Sequence, residues 1–192
     1  MSQDGFALQC APLDLRNDKN IVMTAVSRDG CALRHASDEL KNDREIVITA
    51  VSQDGNALRF VSEELKNDYS MVMAAVAQDG RAIEWASKKL QNNKELILVA
   101  INQNEYSANY IPLKLQHNHE ILCCILSTCT TIPYKIKPIV YSTPTYIKIA
   151  LQNPKIQCAT LAKCKTLINT TPLSPTILDT ILILMLAQPV QK

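Results

Sequence analysis

Three histidines and seven cysteines are the residues in this 192-residue chain best suited to metal or nucleophilic chemistry. Their spacing offers little of either. His35 stands alone. His117 and His119 are two apart, not the four-residue spacing that sets two imidazoles on one helix face for a metal. Cys123 and Cys124 are near in sequence, so a zinc site is one reading. A capping-position histidine, an exposed histidine and two core cysteines is the simpler one. No C-x-x-C pair occurs, and an odd number of cysteines suits free thiols in a reducing compartment. There is no glycine-rich phosphate loop, no G-x-S-x-G and no kinase-type motif. Lys88 and Lys89 read as a solvated pair. No catalytic residue, metal ligand or cofactor is assigned, and an enzyme is the least expected outcome.

One column of side chains stands out instead. Cys10, His35, Phe60, Trp85 and Tyr110 are each 25 residues apart, and from the second onward each is a ring. Regularly spaced rings could form a stacking or peptide-binding ridge. Packing between adjacent helices is the preferred alternative. Beside them runs Gln9, Arg34, Arg59, Glu84, Asn109, which changes charge from copy to copy. A recognition surface looks like that, and so does a drifting solvated face. His35, Phe60, Trp85 and Tyr110, with Arg34, Arg59 and Glu84, are the candidate interaction surface.

The elements that carry this column repeat. Asp-Gly occurs at Asp4-Gly5, Asp29-Gly30, Asp54-Gly55 and Asp79-Gly80, and the next step lands on Asn104-Glu105. Leu15-Arg16-Asn17-Asp18, Leu40-Lys41-Asn42-Asp43, Leu65-Lys66-Asn67-Asp68, Leu90-Gln91-Asn92-Asn93 and Leu115-Gln116-His117-Asn118 keep the same register. Two markers in one register define five copies, at about 4–28, 29–53, 54–78, 79–103 and 104–129. Each copy reads as two short helices. Ala57, Leu58, Val61 and Leu65 fall on one face of the first. Asn42 is placed to cap the second, with Glu45 three residues on completing a capping box, and Asn92 with Glu95 repeats it. Ile46, Val47, Ala50 and Val51 form the inner face of the second helix. Its far side, Met23, Ile48, Met73, Leu98 and Cys123, is uncharged in every copy. A helix apolar nearly all round is buried, so the second helix is expected as the inner layer and the first as the outer. Glycine is expected to turn the chain in the left-handed conformation.

The predicted fold class is all-α: tandem two-helix repeats forming a short α-solenoid, with a poorly ordered or weakly helical C-terminal tail. The chain starts in mid-repeat, without a polar capping copy. Pro12 and Pro112 fall inside the first helix of copies one and five, where proline is disruptive. Composition shifts abruptly after Cys129. Residues 1–129 hold 13 Lys and Arg against 17 Asp and Glu, while residues 130–192 hold seven Lys against Asp179 alone. Seven of the nine prolines lie in that tail. Short helices are expected over about 145–152, 156–168 and 174–187, and no sixth copy is visible. The tail reads as a disordered extension, a diverged helical cap or a shifted reading frame. The longest apolar run, 181–187, is far below the ~20 residues that cross a bilayer. The start is polar and is not a signal peptide.

With its motifs in place, the array resembles a short repeat family catalogued only as a domain of unknown function, seen in protists, some intracellular bacteria and large DNA viruses. Residues 29–53 carry the pattern best, and the resemblance covers 4–129. It implies a helical-repeat fold and supplies no catalytic residues. The expectation is a non-enzymatic protein-interaction scaffold with an unidentified protein partner, in the cytoplasm or another intracellular setting, host cytosol if the source is an intracellular bacterium or virus. Two alternatives stand beside it. One is a degenerate fragment of a longer array with no function of its own. The other is membrane-surface or RNA binding through the basic tail. The acidic balance of the array argues against nucleic-acid binding there.

Overall fold

A computed structural model describes residues 5–152. The chain divides into two units, Met1–Pro112 and Leu113–Lys192. Among the described residues every regular element is helical and there is no strand.

In the first unit, the copy at 54–78 shows how the letters become geometry. Asp54 is extended, and its carboxylate accepts the Asn56 N–H at 2.9 Å. That opens a six-residue 3-10 helix, Gly55–Phe60, after which Val61 is extended again. A second 3-10 turn, Leu65–Asn67, leads to Asp68, which caps the long helix Tyr69–Gln78. The long helices of the unit are α1 (Lys19–Val26), α2 (Arg44–Gln53), α3 (Tyr69–Gln78) and α4 (Lys94–Gln103). They pack side by side in chain order, and the 3-10 segments before them do the same, giving two layers.

The expected first helix is therefore two short turns with a break between them. Ala57, Leu58, Val61 and Leu65 are all buried, as the spacing predicts. The break follows from one backbone donor. The Ser62 N–H bonds the Lys41 carbonyl of the preceding copy at 3.1 Å, so it is lost to any helical ladder. Ser37 to Arg16 and Ser87 to Lys66 repeat the bond, each at 3.0 Å. Pro12 and Pro112 stand in this serine column, where the helix is already interrupted, so they break nothing. What Pro112 lacks is the N–H that Ser87 uses.

Two local expectations are corrected. The long helices are capped by Asp18, Asp43, Asp68 and Asn93, one residue later than Asn42 and Asn92, and Glu45 and Glu95 complete no capping box. The Asp43 carboxylate accepts the N–H of both Glu45 and Ile46. The glycines also work differently. No described glycine has positive φ. A Cβ on Gly55 would stand 2.5 Å from the Ala75 carbonyl oxygen, and on Gly30 and Gly80 it would collide with the carbonyls of Ala50 and Ala100. Glycine is needed there for close approach to the C-terminal end of the copy's own long helix.

The long helices bury one face completely: Ile46, Val47, Ala50 and Val51 on α2, and the matching residues on α3 and α4. Their far face is open, which corrects the reading of a wholly buried inner layer. Met23, Met73 and Leu98 are half-buried, and Ile48 is 36% exposed. With only two layers in this unit, the outer face of the long helices has nothing packed over it among the described residues.

The second unit holds α5 (His119–Thr128) and α6 (Pro144–Gln152), which pack against each other, with a short helix Lys137–Ser142 between. The 145–152 expectation holds. Helices expected over 156–168 and 174–187 lie outside the described residues. The repeat also continues where the letters show no sixth copy. Ile136, Val140, Ile147 and Ala150 are buried, 100 residues after buried Ala36, Leu40, Val47 and Ala50. Pro144, at the first position of α6, matches Arg44 at the start of α2. Proline suits that position because its missing N–H would be unpaired anyway.

Candidate interaction surface

The surface is built on a frame of bonds between successive copies. The Ser37, Ser62 and Ser87 hydroxyls donate to the side-chain oxygens of Asn17, Asn42 and Asn67 at 2.7, 2.6 and 2.8 Å. The asparagine of the Leu-Lys-Asn-Asp motif is thus a latch to the next copy, and the aspartate after it is the cap. At the other end, Gln78 Nε2 donates to the Gln53 carbonyl of the preceding copy at 3.4 Å and Gln103 Nε2 to the Gln78 carbonyl at 2.8 Å, while within each copy the same amides accept the Gly55 and Gly80 N–H groups at 2.9 and 2.6 Å. Cys31 and Asn56 donate to the carboxylates of Asp54 and Asp79, one copy on, each at 3.0 Å. Burial first, then Asp54 beside it, pushes the Cys31 thiol up to about 12, so it is an inert structural thiol. Asp79 is held down to about 2, chiefly by its hydrogen bond with Arg81, then by the Arg81 N–H and Asn56. Salt bridges from Lys19 to Asp43 and from Arg44 to Asp68 tie adjacent long helices.

The ring column lies on the other layer. His35, Phe60 and Trp85 are half-buried at the ends of their 3-10 segments, and Tyr110 is 37% exposed. The Arg59 guanidinium lies 5.0 Å from the Trp85 ring centre and 5.7 Å from that of Phe60. One arginine therefore joins the rings of two copies by cation–π attraction. Burial first, then the neighbouring Glu84 carboxylate, pushes the Tyr110 hydroxyl up. Burial, then Arg34, lowers the His35 pKa. Arg34, Arg59 and Glu84 are exposed. Of the sequence-predicted residues, Arg59, Phe60 and Trp85 are brought together across two copies, so part of the ring surface is already engaged.

A second file was not anticipated as a surface. Met23, Ile48, Met73 and Leu98 run along the open face of α1 to α4, flanked by Thr24, Thr49, Ala74 and Val99. The Thr24 and Thr49 hydroxyls bond carbonyls of their own helices at 2.8 and 2.9 Å, which leaves their methyl groups to the surface. One turn earlier on the same face stand exposed Glu45 and Glu95. The uncharged column is the signal of this file in the sequence, and it is equally compatible with burial, because nothing in the sequence tells whether a third layer covers it.

His117 is exposed and caps nothing, since Asn118 caps α5. Cys123 and Cys124 are half-buried. His119 and Cys123, however, are four apart on α5, and the imidazole Nε2 lies 3.5 Å from Sγ. Most of the basic stretch 130–192, the basis for expecting membrane-surface or RNA binding, lies outside the described residues. No helix among the described residues is long and apolar enough to cross a membrane.

Fold and surface together define a tandem helical-repeat protein, its copies joined by hydrogen bonds in a 25-residue register. The chain matches the family described as Domain of unknown function (DUF4116) four times, over residues 1–41, 19–66, 43–91 and 68–116. It belongs to that family. No curated protein and no solved structure matches it.

Proposed function

We propose that this chain is a non-enzymatic scaffold that binds another protein along the open face of its long helices. The observation that carries the reading is the file Met23, Ile48, Met73, Leu98: half-exposed, in line, and free of charge in each copy. Apolar surface arranged contiguously and rimmed by polar groups marks an interaction site, whereas scattered exposed apolar residues do not. Glu45 and Glu95 beside it are held by Lys19 and by the Tyr69 hydroxyl, so the preference for a partner segment apolar on one face and basic on its flank rests on the acidic balance of residues 1–129. The ring ridge of His35, Phe60, Trp85 and Tyr110, with Arg34, Arg59 and Glu84, is the second surface open to a partner. Its share is smaller, because Arg59 already lies over Phe60 and Trp85.

Two synthetic amphipathic helical peptides test this, one with lysines and one with glutamates on the polar face, titrated against the full chain by fluorescence anisotropy. The lysine peptide should bind saturably and lose binding to an Ile48→Glu, Met73→Glu double variant whose melting profile is unchanged. Trp85→Ala should weaken binding less. Saturable binding of neither peptide, or equal binding by the double variant, contradicts the proposal. The first of those results favours a decayed array with no function of its own.

A further inference from the structure

We propose, resting on the binding role of the open face, that its partner is a single amphipathic α-helix laid across α1 to α4 with an apolar side chain at every seventh residue. Met23, Ile48, Met73 and Leu98 are each the fifth residue of their helix. The four helices pack side by side in chain order, so the file crosses them at one level. Packed helices stand about 8–10 Å apart, axis to axis. The file is therefore a ruler with one uncharged mark per copy, about 8–10 Å from mark to mark.

A β-strand does not fit that ruler. Side chains on one side of a strand recur at about 6.6–6.8 Å or, skipping one, at about 13 Å. A polyproline helix returns to the same side about every 9.3 Å, but its backbone makes no internal hydrogen bonds. The ground beside the file gives such a backbone nothing to pair with. Thr24 and Thr49 donate to the Asn20 and Glu45 carbonyls of their own helices, and Ala74 and Val99 have no polar side-chain atom. Backbone groups covered there would stay unpaired. An α-helix has already closed its own bonds, and it rises about 10.5 Å in seven residues, close to one copy step. Residues seven apart differ by only about 20° around its axis, so four of them share one face. The excess of Asp and Glu over Lys and Arg in residues 1–129 selects lysine and arginine for the rest of its surface.

The test uses two synthetic helical peptides of identical lysine-rich composition, matched in helicity by circular dichroism and titrated against the full chain by fluorescence anisotropy. One carries leucines at i, i+7, i+14 and i+21. The other has the same four leucines at i, i+4, i+7 and i+11, on one face but within three turns. The seven-spaced peptide should bind saturably and about tenfold or more tighter, since a leucine left off its mark forfeits about a factor of ten. Replacing its last leucine by glutamine should weaken it by about that factor. Equal or tighter binding by the clustered peptide, lost in the Ile48→Glu, Met73→Glu chain, overturns the seven-residue spacing and leaves the open face as a binding site. Saturable binding of neither peptide overturns both the spacing and the binding role.

Discussion

At position 107 the column Ala32, Ala57, Ala82 is interrupted by a serine, and its hydroxyl is buried without a hydrogen-bond partner. A buried polar group left unpaired costs about 1–3 kcal/mol. Ser107→Ala restores the column residue and removes that penalty. It should raise the midpoint of thermal unfolding, by an amount matching about 1 kcal/mol; an unchanged or lowered midpoint would show that the hydroxyl is satisfied. The caps obey the same logic. Asp43 and Asp68 hold pKa values below the usual carboxylate range: Lys19 is the main cause at Asp43, and Ser70, then Arg44, at Asp68. Asp79 joins them through Arg81. Groups depressed in the folded state stabilise it above the ordinary carboxylate pKa, and that contribution fades as pH falls through the folded value. The array should therefore be weakened by acid.

Within a copy, the close fit is between the 3-10 segment and the carbonyl end of the following long helix. Gly55→Ala sets a methyl 2.5 Å from the Ala75 oxygen, with the Asp79 N at 2.9 Å. Overpacking of this kind typically costs about 1–3 kcal/mol. Chemical denaturation should show a loss in that range; a stabilised variant would mean that glycine is used only for chain flexibility. Much of each element was legible in the sequence. The 25-residue register, the apolar faces and the number of arms came from periodicity alone. The 3-10 geometry did not, because Ala57, Leu58 and Val61 sit at spacings compatible with 3.0 or 3.6 residues per turn. What decides between them is the Ser62 N–H, committed to a carbonyl of another copy. The cap position is ambiguous in the sequence for a related reason. Asn42 and Asp43 are both good cap residues, and Ser62, distant in sequence, claims the first.

Within the first unit, copies are joined by bonds that recur in register, so each depends on its neighbours more than on any distant part. The sixth copy illustrates what such an array retains. Asp-Gly and Leu-Lys-Asn-Asp are gone after Cys129, yet Ile136, Val140, Ile147 and Ala150 are buried at the repeat positions. Burial at a position needs only an apolar side chain of suitable size, whereas a cap or a latch needs a particular hydrogen-bonding group. A search by letters therefore loses the pattern before the fold does. The same modularity gives the most direct test of the account. Deletion of residues 54–78 removes one full copy and brings Ser87 into the place of Ser62, opposite Asn42. The chain should keep its helicity per residue by circular dichroism and unfold in one cooperative, lower-temperature transition. Deletion of 54–65 alone, half a copy, should abolish that transition. If the full-copy deletion collapses as the half-copy deletion does, the 25-residue unit is not the building block of this protein.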